Sequence, residues 1–137
     1  MKDIRNIFVI DDDSITLFGM RKMLSKVTAK SNVFDFKNGQ LAIDEIKKRI
    51  ANKMELPEVI FLDINMPILD GWGFLKEFIN LGIKERILVN IITSSIDPND
   101  EKQYLFYRNQ THHYVDYINK PIYKIDLKDL QKLNIAS

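Results

Sequence analysis

The chain has 137 residues, 45% of them hydrophobic and 28% charged, which is the composition of an ordinary globular domain with one core. A net charge of +1 gives no electrostatic reason to expect direct binding to nucleic acid or to an anionic membrane. The sequence has no cysteine for disulfide, thiolate or metal chemistry. It also has no signal peptide, and no apolar run approaches the roughly 18 residues of a membrane span. We therefore expect a cytoplasmic protein.

Five apolar or alternating runs predict five strands, each followed by a segment with helical spacing of its apolar residues. A continuous apolar run that ends at turn residues is typical of a strand buried on both faces. The predicted strands are Ile7–Ile10, Asn32–Phe36, Val59–Leu62, Ile87–Ile92 and Tyr114–Ile118.

The helices between these strands are predicted from their start signals and their apolar spacing. Asp13 or Ser14 can cap the first helix, and Asn38-Gly39 is interpreted as a turn before the second. The second helix carries a basic stretch that we interpret as its solvent-exposed face, consisting of Lys47, Lys48, Arg49 and Lys53.

The later helices are less clearly patterned. The fourth is predicted from about Asp100 to about Gln110, with Pro98 near its first turn, and the fifth is short, from roughly Ile125 to Leu133. The adjacent histidines, His112 and His113, are interpreted as C-terminal helix residues favoured by the helix dipole. Trp72, which follows Gly71 in the third helix, is interpreted as a packing residue or a partly exposed helix residue.

This alternation of strand and helix predicts an α/β fold with a parallel sheet covered on both faces by right-handed crossovers. The economical arrangement is a doubly wound five-stranded sheet in the order 2-1-3-4-5, which is flavodoxin-like. In that order the first and third strands are neighbours at the point where the winding reverses, and ligands bind there beyond the carboxyl ends of the strands.

Three carboxylates converge at this predicted edge. Asp11 and Asp12 follow the first strand and Asp63 follows the third, while Thr93 and Lys120 end the fourth and fifth. Two carboxylates about 4–5 Å apart repel each other by roughly 3–4 kcal/mol at an effective dielectric near 20. A hard divalent cation, Mg²⁺ above all, would relieve this repulsion, and Asp63 could then act as a nucleophile on phosphorus.

The ordered set of motifs at these strand ends resembles the receiver domain of two-component response regulators. The resemblance spans essentially the whole chain, and as a set the motifs are specific. They are Asp11-Asp12, Leu62-Asp63-Ile64-Asn65-Met66-Pro67 followed by Asp70-Gly71, Thr93-Ser94, and Lys120-Pro121.

The resemblance implies that Asp63 accepts a phosphoryl group from the phosphohistidine of a sensor histidine kinase or a phosphotransfer protein. It also implies a Mg²⁺ site made by Asp11, Asp12, Asp63 and the backbone carbonyl of Asn65. Such a protein catalyses its own phosphotransfer and dephosphorylation, and it is not an enzyme acting on a separate substrate.

The resemblance also implies a switch. Lys120 contacts the phosphoryl group, the Thr93 hydroxyl swings toward it, and Tyr117 changes rotamer, which alters the face formed by the fourth helix, fifth strand and fifth helix. An unidentified downstream protein would bind that face, with the receiver as a monomer or a phosphorylation-dependent dimer. The peptide before Pro121 is implied to be cis.

Two features of the chain differ from common receivers, and two alternative functions stay open. The stretch from Thr93 to Lys120 is several residues longer than in common receivers, which predicts an irregular fourth helix or loops, and residues 1–137 are expected to form one receiver domain without an output domain. Asp11-Asp12-Asp13 also resembles the Asp-x-Asp motif of haloacid-dehalogenase-type phosphohydrolases, with Asp11 as nucleophile. A receiver-like adaptor that is not phosphorylated is the other alternative.

Overall fold

The computed structural model describes residues 4–120, 125, 130 and 131, and these contain five strands and four helices that alternate along the chain. The predicted fifth helix lies almost entirely outside the described residues, as does Pro121 with its expected cis peptide. The elements are β1 (Asn6–Ile10), α1 (Ser14–Val27), β2 (Asn32–Phe36), α2 (Gly39–Ala51), β3 (Val59–Asp63), α3 (Gly71–Asn80), β4 (Leu88–Thr93), α4 (Pro98–Arg108) and β5 (Tyr114–Asn119).

The strands form one parallel sheet in the order β2-β1-β3-β4-β5, which confirms the predicted doubly wound topology. Every residue of β1, β3 and β4 is buried, as expected for continuous apolar strands with helices on both faces. No helix in the described part of the chain combines the length and apolar character needed to span a bilayer.

The sheet divides the core into two layers because side chains alternate between its faces. Along β1, Phe8 and Ile10 enter the layer beneath α2 and α3, whereas Ile7 and Val9 enter the layer that α1 covers. Both layers therefore depend on the central strands, whose ends carry the predicted site.

Short polar side chains cap the first two helices. Asp13 accepts the backbone N–H of Ile15 at the start of α1, as predicted. Asn38 accepts the backbone N–H of Leu41 and caps α2, so the predicted turn at Asn38-Gly39 is wrong. Asn38-Gly39 begins a helix instead, because the side chain of Asn38 accepts a backbone N–H group in the first turn of that helix.

The fourth helix is regular and lies slightly earlier than predicted. Asp97 caps α4 by accepting the backbone N–H of Asn99, and Pro98 occupies its first turn. The expected irregularity is therefore absent from the helix itself, which runs for 11 residues from Pro98 to Arg108.

Arg49 does not lie on an exposed basic face, and that prediction is wrong. Its side chain is buried, with the guanidinium 4.6 Å from the ring centroid of Phe34 and 5.2 Å from that of Phe8. Nε donates to Glu45 at 2.7 Å, and Nη1 donates to the carbonyl of Glu55 at 2.9 Å. A planar cation can be buried when aromatic rings contact its faces and acceptors satisfy its edge.

The two histidines are also placed differently from the prediction, because α4 ends at Arg108 and they lie in the connection to β5. His113 is only 5% exposed, and its ring contacts Phe78 at 4.8 Å between centroids. The backbone N–H of Ile87 donates to Nδ1 of His113 at 2.9 Å, which requires an unprotonated Nδ1. Burial, and then the charges of neighbouring groups, lower the pKa of His113 from 6.5 to about 4.

His113 is therefore expected to make the fold sensitive to acid. Between pH 6.5 and about 4 the unfolded chain binds a proton at His113 that the folded chain does not, so stability falls as the pH falls. In urea titrations from pH 7 to pH 4, the wild type should lose about 3 kcal/mol more than His113→Asn, which keeps an acceptor but does not titrate. Parallel curves for the wild type and His113→Asn would contradict the assignment.

Candidate functional site

Three carboxylates meet at the carboxyl edge of β1 and β3. Ile10 pairs with Leu62, so Asp11 and Asp63, the next residues of their chains, lie side by side. One oxygen each from Asp11, Asp12 and Asp63 lies within 4.8 Å of the others. Asp11 and Asp63 are buried and Asp12 is exposed, so this acidic cluster has one side open to solvent.

Lys120 supplies positive charge to the cluster. Its Nζ lies 3.2 Å from Oδ2 of Asp11 and 3.6 Å from Oδ1 of Asp63. It follows β5 directly, and its backbone N–H donates to the carbonyl of Thr93 at the end of β4, at 2.8 Å. Hydrogen bonding between adjacent strand ends therefore holds the lysine over two buried carboxylates.

Backbone donors fix the orientation of the two buried carboxylates. The N–H of Ile64 donates to Oδ1 of Asp63 at 2.9 Å, and the N–H of Asp13 donates to Oδ1 of Asp11 at 2.9 Å. Both donors belong to the turns that follow the strands, so each carboxylate is held by the backbone as the chain leaves the sheet.

The electrostatics of the site are those of excess negative charge. Burial, and then repulsion by Asp11, raise the pKa of Asp63, although Lys120 opposes the shift. Burial lowers the pKa of Lys120, but Asp11 and Asp63 together outweigh it and the net shift is upward. One ammonium group therefore does not neutralise the cluster, and a divalent cation would.

The residues present fit Mg²⁺. This ion prefers oxygen ligands and is usually bound through one or two carboxylates and several waters, and the open side of the cluster leaves room for these. Three carboxylates within 4.8 Å of one another supply the protein oxygens. Asn65, whose carbonyl the resemblance adds to the set, is exposed in the loop directly after Asp63 and Ile64.

The loop after Asp63 returns to the strand end at Gly71. The N–H of Gly71 donates to the carbonyl of Ile64 at 2.8 Å, and Asp70 caps α3 by accepting the N–H of Gly73. A Cβ atom at Gly71 would lie 2.4 Å from the carbonyl oxygen of Asp63, closer than real Cβ contacts allow. Glycine at this position thus lets α3 begin against the backbone of Asp63.

Thr93 and Tyr117 lie next to the acidic cluster rather than within it. Thr93 is fully buried at the end of β4, and its Oγ1 accepts the backbone N–H of Ser95 at 2.9 Å. Tyr117 is partly buried in β5, and its ring lies 5.2 Å from that of Tyr104 on α4. Both residues therefore contact the segment that contains α4.

Sequence reasoning missed a contact between α3 and α4. Nε1 of Trp72 donates to Oδ1 of Asp100 at 2.9 Å, and the indole also stacks on Tyr107. No local spacing links residues 72 and 100, since the contact depends on how two helices pack beside each other on one face of the sheet.

The comparisons with known proteins agree with this geometry. A family model described as the response regulator receiver domain matches residues 7–132. The chain belongs to this family. Receiver domains bind Mg²⁺ through an acidic cluster such as that of Asp11, Asp12 and Asp63, and histidine kinases or phosphotransfer proteins phosphorylate them.

Solved structures show the same fold. The receiver resembles a two-component response regulator from Cytophaga hutchinsonii with a TM-score of 0.77 and 24% identity, covering 99% of this chain and 100% of that one. It also resembles the phosphorylated cyanobacterial phytochrome response regulator RcpA with a TM-score of 0.71 and 24% identity, covering 98% of this chain and 89% of that one.

A curated relative matches the receiver alone. The protein-glutamate methylesterase/protein-glutamine glutaminase 2 of Methanospirillum hungatei is 35% identical over 96 residues, which is 69% of this chain. The match covers 24% of that protein, so the receiver spans about a quarter of its length. The methylesterase name is that of the longer protein.

Proposed function

We propose that this receiver is a phosphorylation-switched signalling module of a two-component system, with Asp63 as the phosphoacceptor. The main support is the position of the Asp63 carboxylate, which is buried at a strand end 3.6 Å from the ammonium group of Lys120. Its proximity to Asp11 and Asp12 adds support, because the three carboxylates suit a Mg²⁺ ion. That the similar response regulator RcpA is described in a phosphorylated form agrees with the proposal.

In the proposed reaction a carboxylate oxygen of Asp63 attacks the phosphorus of a phosphohistidine. The P–N bond breaks, its electron pair leaves with the imidazole nitrogen, and that nitrogen takes a proton from solvent. The ammonium group of Lys120 balances charge on the phosphoryl oxygens. Mg²⁺, held by Asp11, Asp12, Asp63 and the carbonyl of Asn65, would supply further neutralisation.

The phosphoryl group would then act as a switch. It would draw the hydroxyl of Thr93, change the rotamer of Tyr117 and shift α4 relative to β5, which alters the affinity for a downstream protein. Attack of water on the phosphorus of the aspartyl phosphate breaks the P–O bond to Asp63, releases inorganic phosphate and returns the carboxylate, which ends the signal. The donor is a sensor kinase or phosphotransfer protein in the cytoplasm, and the chain has no separate substrate.

Two contacts oppose the alternative in which Asp11 is the nucleophile of a phosphohydrolase. The second acid of that motif would be Asp13, whose carboxylate accepts the N–H of Ile15 and the hydroxyl of Thr16. These hydrogen bonds lower the pKa of Asp13, which makes it a poor proton donor. The adaptor alternative is disfavoured because the side chains needed for phosphorylation are present together.

The proposal predicts a metal-dependent phosphoryl adduct. Incubation with acetyl phosphate and Mg²⁺ should add one labile phosphoryl group, seen by intact-mass spectrometry. Removing the metal with a chelator should slow its formation by about 100-fold or more, the size expected when a main source of transition-state charge stabilisation is lost. Absence of an adduct with several donors, or an adduct insensitive to the chelator, would contradict the proposal.

A further inference from the structure

A continuous chain of hydrogen bonds connects Thr93 to the third helix. Oγ1 of Thr93 accepts the backbone N–H of Ser95 at 2.9 Å, and the hydroxyl of Ser95 donates to Oδ2 of Asp100. The other oxygen of Asp100 accepts Nε1–H of Trp72 at 2.9 Å. Asp100 thus joins the loop after β4 to α3, and we call Trp72, Asp100 and Ser95 the relay.

The position of α4 depends on few contacts. None of its residues is fully buried, whereas Trp72 of α3 is 6% exposed. Trp72 contacts α4 twice, through Asp100 in its first turn and through Tyr107 in its last, where the rings are 6.1 Å apart and 15° from parallel. Together with the contact between Tyr104 and Tyr117, these interactions hold a helix that has little core of its own.

We propose that Trp72 and Asp100 are positioning residues that stabilise the unphosphorylated position of α4 by holding Ser95, and through it the hydroxyl of Thr93. The inference rests on the proposed function. It adds the residues that set the equilibrium between the two arrangements of α4 in the unphosphorylated protein. When Thr93 turns toward the phosphoryl group, its bond from Ser95 breaks, and the relay opposes that movement. Weakening the relay therefore favours the phosphorylated arrangement before any phosphoryl group is present.

Reciprocity of coupling gives the expected result. A change that favours the phosphorylated arrangement of α4 must strengthen, by the same factor, the reversible binding of a phosphoryl analogue that favours this arrangement. Trp72→Phe removes the N–H donor but keeps a ring against Tyr107, and Asp100→Ala removes the acceptor. With Mg²⁺ and limiting beryllofluoride, which binds reversibly in place of the phosphoryl group, each should raise the occupancy ratio of analogue-bound to free protein about tenfold, the order expected for a hydrogen bond to a charged group.

The variants form a cycle with a matched control. If both residues act through one relay, the occupancy ratio of the double variant should exceed that of either single variant by no more than about twofold. Either single change already breaks the relay, so the second change should add little. Glu101→Gln is the control for Asp100→Ala, because it also removes a carboxylate near the N-terminus of α4, but an exposed one outside the relay. Its occupancy ratio should equal that of the wild type. Asp100→Asn, which keeps an acceptor for Trp72, should lie between the wild type and Asp100→Ala.

Hydrogen exchange tests the inference separately from phosphorylation. In unphosphorylated protein, residues 98–108 should exchange faster in Trp72→Phe and Asp100→Ala than in the wild type or Glu101→Gln. Trp72 is the only tryptophan in the sequence, so its fluorescence should also change when the wild type is phosphorylated.

The outcomes separate the two proposals. No adduct on the wild type would defeat the proposed function. Wild-type affinity for beryllofluoride in Trp72→Phe and Asp100→Ala, or additive effects in the double variant, would defeat the relay alone. A purely structural role would lower the melting temperature without raising occupancy, and that result would also overturn the inference.

Discussion

Asp63→Asn is expected to abolish the phosphoryl adduct, with a rate at least about 1000-fold below the wild type, since the uncharged amide oxygen is a far weaker nucleophile than a carboxylate oxygen. The measurement is the intact mass after incubation with acetyl phosphate and Mg²⁺. An adduct that survives in Asp63→Asn would move the nucleophile elsewhere, with Asp11 the first candidate. Asp12→Asn is the matched control, because it removes an exposed carboxylate of the same cluster, and it should still form the adduct when Mg²⁺ is raised.

Stability measurements separate this loss from misfolding. Burial and repulsion by Asp11 raise the pKa of Asp63, so its ionisation opposes folding, and stability falls as the pH rises through its titration range. Without metal at neutral pH, Asp63→Asn should therefore unfold at a higher urea concentration than the wild type. At a pH low enough to protonate Asp63 in both the folded and the unfolded chain, the difference in stability between the variant and the wild type should narrow. A variant that is less stable than the wild type at every pH would contradict this account.

Gly71→Ala is expected to damage both the fold and the site. The added Cβ would lie 2.4 Å from the carbonyl oxygen of Asp63 and 2.7 Å from Cα of Ile64, and neither backbone atom can move without displacing the strand end. We expect a loss of about 3 kcal/mol or more in the free energy of unfolding, at the upper end for overpacking in a core. Phosphorylation should slow in the fraction that still folds, since Asp63 is displaced.

Gly19→Ala is the control for this substitution. Gly19 lies inside α1, and a Cβ there would meet nothing within 4 Å, so the change tests the same chemistry without the clash. Alanine should stabilise the protein by about 0.5–1 kcal/mol because it favours the helix. Equal effects of the two substitutions in urea unfolding would show that the close approach at Gly71 does not matter.

The sheet and the acidic cluster were predictable because both follow from local patterns and one geometric rule. Continuous apolar runs identify β1, β3 and β4, and parallel strands place their carboxyl ends at one edge. Asp11 and Asp63 therefore had to be neighbours once the strand order was predicted, and Lys120 had to lie on the same edge of the sheet. The distances between them agree with this expectation.

The errors share a physical cause, which is that helical spacing does not say what a side chain meets across the fold. Arg49 has the helical spacing of the buried residues of α2 and only its charge indicated exposure, but two phenylalanine rings and two acceptors compensate its burial. His113 follows a helix in sequence but is buried against Phe78 of another. The bond from Trp72 to Asp100 joins residues 28 apart and depends on the packing of α3 against α4.

Lys120 contacts Asp11 across 109 residues of chain, so the charged groups of the site are together only when the whole sheet is folded. An ion or phosphoryl analogue that needs several of them binds the native chain and has little affinity for the unfolded one. Mass action then makes such a ligand a stabiliser, by about 2.7 kcal/mol at a free concentration 100 times its dissociation constant. The melting temperature of the protein therefore measures the occupancy of its site, and a titration of Mg²⁺ against thermal unfolding gives the affinity without any chemical step.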